Sequence, residues 1–246
     1  MTISWQKFYN NAMFDFTSPL TYIGFFFLLA FVLISLQHIY YCYKEWEPKR
    51  KLTKTLCVPA LAIAAVFLAP MRWQIYVGAA VGAIGDYFLL KKHFVKFLAL
   101  GMLFFFLGHI FYINEAMSIL VEIGLLEVKN IQIWAVVYFV AAYAIFFTIA
   151  FIITKKKWLM SLAGGLYCVS LLTETTVGLV GVLLGQPLFF IFLLLGGLVF
   201  LMSDSMLVYS HFFKPIPREH FPIMITYLLG EVLIVVGLIL TNGMIR

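Results

Sequence analysis

Residues 188–208 read Leu-Phe-Phe-Ile-Phe-Leu-Leu-Leu-Gly-Gly-Leu-Val-Phe-Leu-Met-Ser-Asp-Ser-Met-Leu-Val. One ionisable group, Asp204, interrupts this run. A stretch of about 20 apolar residues is what a helix needs to cross a bilayer core. Within lipid the backbone must satisfy its own hydrogen bonds, and a helix does so within one segment. Seven further runs of this kind lie at roughly 20–41, 55–70, 73–90, 97–118, 131–153, 158–184 and 221–241. The composition of the 246-residue chain agrees: 64% hydrophobic, 11% charged, mean hydropathy +1.03. Soluble domains carry about 45–50% apolar and about 25% charged residues. A water-soluble fold is therefore excluded, and so are disordered and collagen-like chains. The expected fold class is all-α, a polytopic membrane protein built as an eight-transmembrane-helix bundle. Residues 20–246 are expected to form that single domain. Residues 1–19, with Trp5, Phe8, Tyr9, Phe14 and Phe16 among polar groups, read as an interfacial lead-in rather than a secretory signal.

The charges orient the bundle. Lys44, Lys49, Arg50, Lys51 and Lys54 fall between the first two runs, and Lys91, Lys92 and Lys96 between the third and fourth. Lys155, Lys156 and Lys157 precede the sixth, and Lys214 and Arg218 the eighth. All of these lie on one side. The opposite side holds only Lys7, Arg72, Lys129 and Arg246, together with the acidic Asp15, Glu122 and Glu127. Basic loops stay cytoplasmic, which places both termini on the non-cytoplasmic side. The net charge of +6 is thus orientation charge, and no nucleic-acid partner is expected. Cys42, Cys57 and Cys168 form no C-x-x-C pair, which argues against a disulfide framework or a zinc knuckle. Localisation depends on the source: the inner membrane in a bacterium, an internal membrane such as the endoplasmic reticulum in a eukaryote.

Few ionisable groups fall inside the runs: Asp86, His109, Glu174, Asp204 and Glu231, with Lys54, Glu115 and His211 at edges. Each costs at least about 2.5–3.5 kcal/mol at the centre of a membrane helix, so it turns inward and finds a partner. Taken singly, each is as readily a structural contact between helices as a functional group. Several at one depth point to a cavity. At 1.5 Å per residue, Asp86 lies about 7–8 Å and Asp204 about 10 Å inside the cytoplasmic edge. Thr226 and Tyr227 lie at a similar level, and Lys54 at the mouth. Glu231, His109 and Glu174 lie deeper. Gly78, Gly82 and Asp86 share a helix stripe, as do Gly101, Phe105, His109 and Tyr112. Tyr167, Leu171, Glu174 and Gly178 form a third. Asp86 and Asp204 stand 118 residues apart in similar short contexts, a faint echo of a parallel repeat of two four-helix halves.

Two carboxylates in a partly desolvated pocket can divide the roles of general acid and general base. That pairing suits cleavage through an oxocarbenium-like state, the logic of glycoside hydrolysis. Ser203 and Ser205 flank Asp204 without a nearby histidine or a G-x-S-x-G elbow. No histidine cluster or H-E-x-x-H is present. Neither nucleophilic nor metal hydrolysis is expected.

The runs Gly-Ala-Ile-Gly-Asp-Tyr-Phe-Leu-Leu at 82–90, Gly-His-Ile-Phe-Tyr-Ile at 108–113, Gly-Gly-Leu-Val-Phe-Leu-Met-Ser-Asp-Ser at 196–205 and Thr-Tyr-Leu-Leu-Gly-Glu at 226–231 carry a resemblance. In order and spacing they resemble the lysoplasmalogenase family of multi-pass membrane proteins (YhhN-type), over nearly all of the chain from Lys54 onward. The resemblance implies eight spans. It also implies cleavage of the vinyl ether bond of lysoplasmalogens to a fatty aldehyde and glycerophosphocholine or glycerophosphoethanolamine, with Asp86 and Asp204 as the catalytic carboxylates. The chain departs from the family at Thr55, where proline is usual after the lysine, and at Glu231, where glutamine is usual. On this reading one aspartate protonates the alkenyl carbon, and the other stabilises the cation and deprotonates water. His109, Tyr112 and Tyr227 orient the pair, Ser203 and Glu231 support it, and Lys54 meets the lipid phosphate. No cofactor is required. The partners are the lysophospholipid substrate and membrane lipids. The alternative is a proton-coupled transporter or lipid permease, which should carry its key charges near the midplane.

Overall fold

The computed structural model describes residues 14–91, 95–124, 128–155, 157–184 and 188–240. The segment before Phe14, with Lys7, Lys92, Glu127, Lys156 and Arg246, lies outside the described residues, as does the side chain of Lys129. Among the described residues eight helices follow in order: α1 Pro19–Tyr43, α2 Glu47–Leu68, α3 Trp73–Leu89, α4 Val95–Glu122, α5 Val128–Ile153, α6 Trp158–Leu183, α7 Leu188–Phe212 and α8 His220–Leu240. Among the described residues there is no strand. Six of these helices (all but α3 and α5) are long and apolar enough to cross a membrane. Helix α3 has 17 residues, about 25 Å of rise against a core of about 30 Å. The apolar stretch of α5 that can be assessed is Val137–Ile153. The length and composition of the six mark an integral membrane protein.

Its surface is inverted relative to a soluble fold. On α1 the exposed residues Phe26, Leu29, Leu33, Leu36 and Tyr40 follow helical spacing and make an outward apolar stripe. The inward stripe carries Thr21, Gly24, Phe31, Ser35, His38 and Cys42. Elsewhere Asp86, His109, Glu115, Glu174 and Glu231 are buried while leucines face out. This arrangement suits lipid as the surrounding solvent.

Local chemistry sets the ends. Ser18 caps α1 by accepting from the Leu20 N–H, with Pro19 opening the first turn. Helix α2 starts eight residues before the apolar run, at Glu47. Pro48 is pre-organised for a first turn, and Glu47 favours the N-terminal dipole and pairs with Lys51 at 2.7 Å. Hydropathy misses these two turns because they are charged.

Helices adjacent in sequence pack together from α1 to α4 and from α5 to α8, and α4 against α6 joins the two sets. Helix α8 also touches α1, α2, α3 and α4. Glycines permit the closest approaches. A Cβ at Gly85 would stand 3.1 Å from the Gly101 carbonyl, and one at Gly196 would stand 3.0 Å from that of Gly230. This brings the ends of α3 and α7 that lie beside the basic loops, each with its aspartate, around the start of α8.

Candidate active site

Asp86 lies one turn before the end of α3, and Asp204 two turns before the end of α7. Both line one cavity of about 310 Å³ at the end of the bundle that carries the basic loops. Helix α2 contributes Glu47, Arg50 and Lys54 to its wall, and α8 contributes His220, Met224 and Tyr227. Asp86 is buried and fully engaged. Lys54 Nζ stands 3.1 Å from Oδ1, and the Tyr227 hydroxyl donates to Oδ2 at 2.7 Å. Asp204 Oδ2 accepts a bond of 2.5 Å from the Tyr167 hydroxyl. The two tyrosines hold the two aspartates from different helices, and their rings pack on a common centre. Phe105 lies 5.8 Å from the Tyr167 ring, 5.9 Å from Tyr227 and 6.3 Å from Phe200. These aromatics form a floor beneath the carboxylates.

A second polar layer lies under that floor. His109 Nδ1 stands 2.5 Å from Glu174 Oε2, and the Tyr112 hydroxyl donates to Glu231 Oε1 at 2.7 Å. The His109 ring packs edge-on against Phe200 at 5.0 Å. All four residues are buried, and none lines the cavity. Among the described residues Glu174 Oε1 has no hydrogen-bond partner. His109 and Tyr112 thus bond glutamates, not the aspartates they were expected to orient; Tyr227 does hold Asp86. Ser203 lines the cavity but donates to the Ile223 carbonyl at 3.0 Å, tying α7 to α8. Lys54 is not the outermost charge at the mouth, because α2 begins earlier than the apolar run. Arg50, one turn nearer the surface, lies outside it with only 12% of its side chain exposed, and Glu47 lies farther out still.

Tyr167, Arg50 and His220 belong to this site and were not singled out for it by sequence. For Tyr167 the signal was present: it shares a stripe with Glu174 on a helix whose inward face is polar. Which aspartate it would reach depends on α6 packing against α7, which spacing along one helix does not encode.

A second, mostly apolar cavity of about 120 Å³ adjoins the first. Leu89, Phe105, Asp204 and Leu207 line both. Among the described residues no group of three or more His, Cys, Asp or Glu side chains is placed to hold a metal ion.

The YhhN family model matches residues 49–238. Searches of curated proteins and of solved structures each return no match. The matched region runs from the first turn of α2 nearly to the end of α8 and contains Lys54, Asp86, Tyr167, Asp204 and Tyr227, and the chain belongs to the YhhN family.

Proposed function

We propose that this protein is a lysoplasmalogenase, hydrolysing the vinyl ether of a lysoplasmalogen to a fatty aldehyde and a glycerophospho-alcohol. The observation that carries the proposal is the shared cavity of Asp86 and Asp204, two carboxylates with different partners, in a member of a family associated with hydrolase activity. Asp204 is the proton donor. Among the described residues it accepts from one phenol, whereas both oxygens of Asp86 are occupied as acceptors by Lys54 and Tyr227. The proton goes to the alkenyl carbon remote from oxygen and leaves an oxocarbenium ion. Asp86 stabilises that ion and takes a proton from the attacking water. The hemiacetal then collapses to the aldehyde and the glycerol hydroxyl. Arg50 and Lys54 supply positive charge for the phosphate at the mouth.

The reading extends to topology. All eight helices span the membrane from residue 20 onward as one domain, with the termini outside and the cavity open to the cytoplasmic leaflet. The chemistry needs only carboxylates and water, so a chelator should leave the rate unchanged.

The test is aldehyde release from a lysoplasmalogen by the purified protein. Asp86→Asn and Asp204→Asn should each lower kcat by about 10²–10⁴-fold while the protein still elutes as a folded species. Normal rates in both variants would sink the mechanism. The buried His109–Glu174 pair and Glu231 favour a second reading, a proton-coupled transporter. Proton-dependent lipid flux into vesicles without aldehyde release would establish that reading instead.

A further inference from the structure

The two adjoining cavities differ in chemistry along a line that passes through Asp204. On one side lie Arg50, Lys54, Asp86 and His220. On the other, the wall between α4, α5, α6 and α7 is made of Met102, Phe146, Ile149, Met160, Gly164 and Phe212. A lipid with a charged headgroup and one hydrocarbon chain has the same division. Its vinyl ether lies where the headgroup ends and the chain begins. We propose that the apolar cavity is the subsite for the substrate's hydrocarbon chain, and that Gly164 keeps it open. The proposal rests on the lysoplasmalogenase reading for the identity of the lipid.

Three observations favour a chain as the occupant. The apolar cavity is continuous with the charged one through Leu89, Phe105, Asp204 and Leu207. A polar substrate would leave its own groups unpaired against that wall. Gly164 faces the cleft: a Cβ there would sit 3.8 Å from the Ala150 Cβ and 4.0 Å from the Met102 Sδ, ordinary contact distances, so a methyl group fits and anything larger must enter the cleft. Its neighbour Gly165 is different, because a Cβ there would stand 3.1 Å from the Phe147 Cα. Gly165 is needed for the α5–α6 packing, whereas no close backbone contact requires a glycine at 164. The seam also sets Asp204 at the chain side of the reaction, where the alkenyl carbon must receive its proton.

The experiment uses the full-length protein in nanodiscs and a non-cleavable alkyl-ether lysophospholipid carrying a diazirine on its chain. After irradiation, label is expected on peptides containing Met102, Phe146 or Cys168, and an unlabelled lysophospholipid should compete it away. Gly164→Leu should reduce that labelling about 10-fold or more, since one or two methylenes in a fitted pocket are worth about that much. In the hydrolase assay the same variant should lose kcat/KM for long-chain substrates more than for short-chain ones. Leu179→Phe, on the exposed face of α6, is the control and should change neither readout. Label confined to the outer apolar faces, or undiminished by competitor, overturns the subsite, and this reading needs no variant to fold. Aldehyde release with no label in the cleft leaves the hydrolase reading standing and removes the subsite. Competable label in the cleft without aldehyde release does the reverse.

Discussion

Lys54 reaches Asp86 across the α2–α3 contact, and the two side chains are only 11% and 3% exposed. Burying two charges is costly, and the pair recovers that cost only while both are present. Lys54→Met should therefore lower stability by about 3–5 kcal/mol. Lys54→Met combined with Asp86→Asn should be markedly more stable than the single lysine variant, though inactive. Thermal unfolding of the two in detergent checks this, and additive losses would show that the ion pair is not coupled. The aspartate and glutamate layers should also separate in kinetics. Tyr167→Phe removes the phenol hydrogen bond to Asp204 and should lower kcat by up to about 100-fold, the cost of misplacing a reacting group. Tyr112→Phe leaves Glu231 buried without its donor and should lower the unfolding temperature with a smaller change in kcat. Equal kcat losses in the two variants would mean that the lower layer takes part in the reaction. Glu231 was legible in the sequence as an unusual buried charge. That it bonds Tyr112 was not, because the partners are 119 residues apart.

The helices themselves were written plainly in the apolar runs, since length and hydropathy are properties of one segment. The exception was α2, whose first two turns depend on Pro48 and on charged pairs that hydropathy reads as loop. Helix-to-helix contacts were only partly legible. The Gly78, Gly82, Asp86 stripe correctly marks the inward face of α3, yet the glycines of the inward stripes of α3 and α6 do unlike work. A Cβ at Gly82 meets only the Phe105 ring, at 3.9 Å, whereas one at Gly178 would come within 2.6 Å of the Leu194 backbone nitrogen. Backbone cannot yield as a flexible side chain can, so α6 and α7 would have to part. Gly178→Ala should cost about 1–3 kcal/mol, as overpacking does, and Gly82→Ala should be near neutral. Unfolding midpoints for the pair test this. Because α6 and α7 carry Tyr167 and Asp204, the Gly178 variant should also lose activity beyond what its stability explains.

Across the whole molecule the contacts repeat. Gly78 faces the Gly108 carbonyl between α3 and α4, as Gly196 faces that of Gly230 between α7 and α8. Gly85 then meets the Gly101 carbonyl where Ser203 bonds that of Ile223, and an aspartate follows each. The weak echo in sequence is thus a repeated packing register. The α3–α4 and α7–α8 pairs related in this way point in the same direction, which is why Asp86 and Asp204 arrive at one end of the bundle instead of at opposite faces. If the basic loops are cytoplasmic, that end faces the cytoplasm, and the prediction can be read directly. Met71, between α2 and α3, is 82% exposed, and Lys214, between α7 and α8, is also exposed. They mark opposite ends. Cys42 and Cys57 are buried, so Cys168→Ser gives a quiet background for single introduced thiols. In sealed vesicles whose outer face is the cytoplasmic one, a membrane-impermeant maleimide should label Lys214→Cys at once and Met71→Cys only after detergent is added. The opposite pattern would turn the cavity toward the other leaflet. Equal labelling would mean that the two connections share a side, which the eight-span arrangement does not permit.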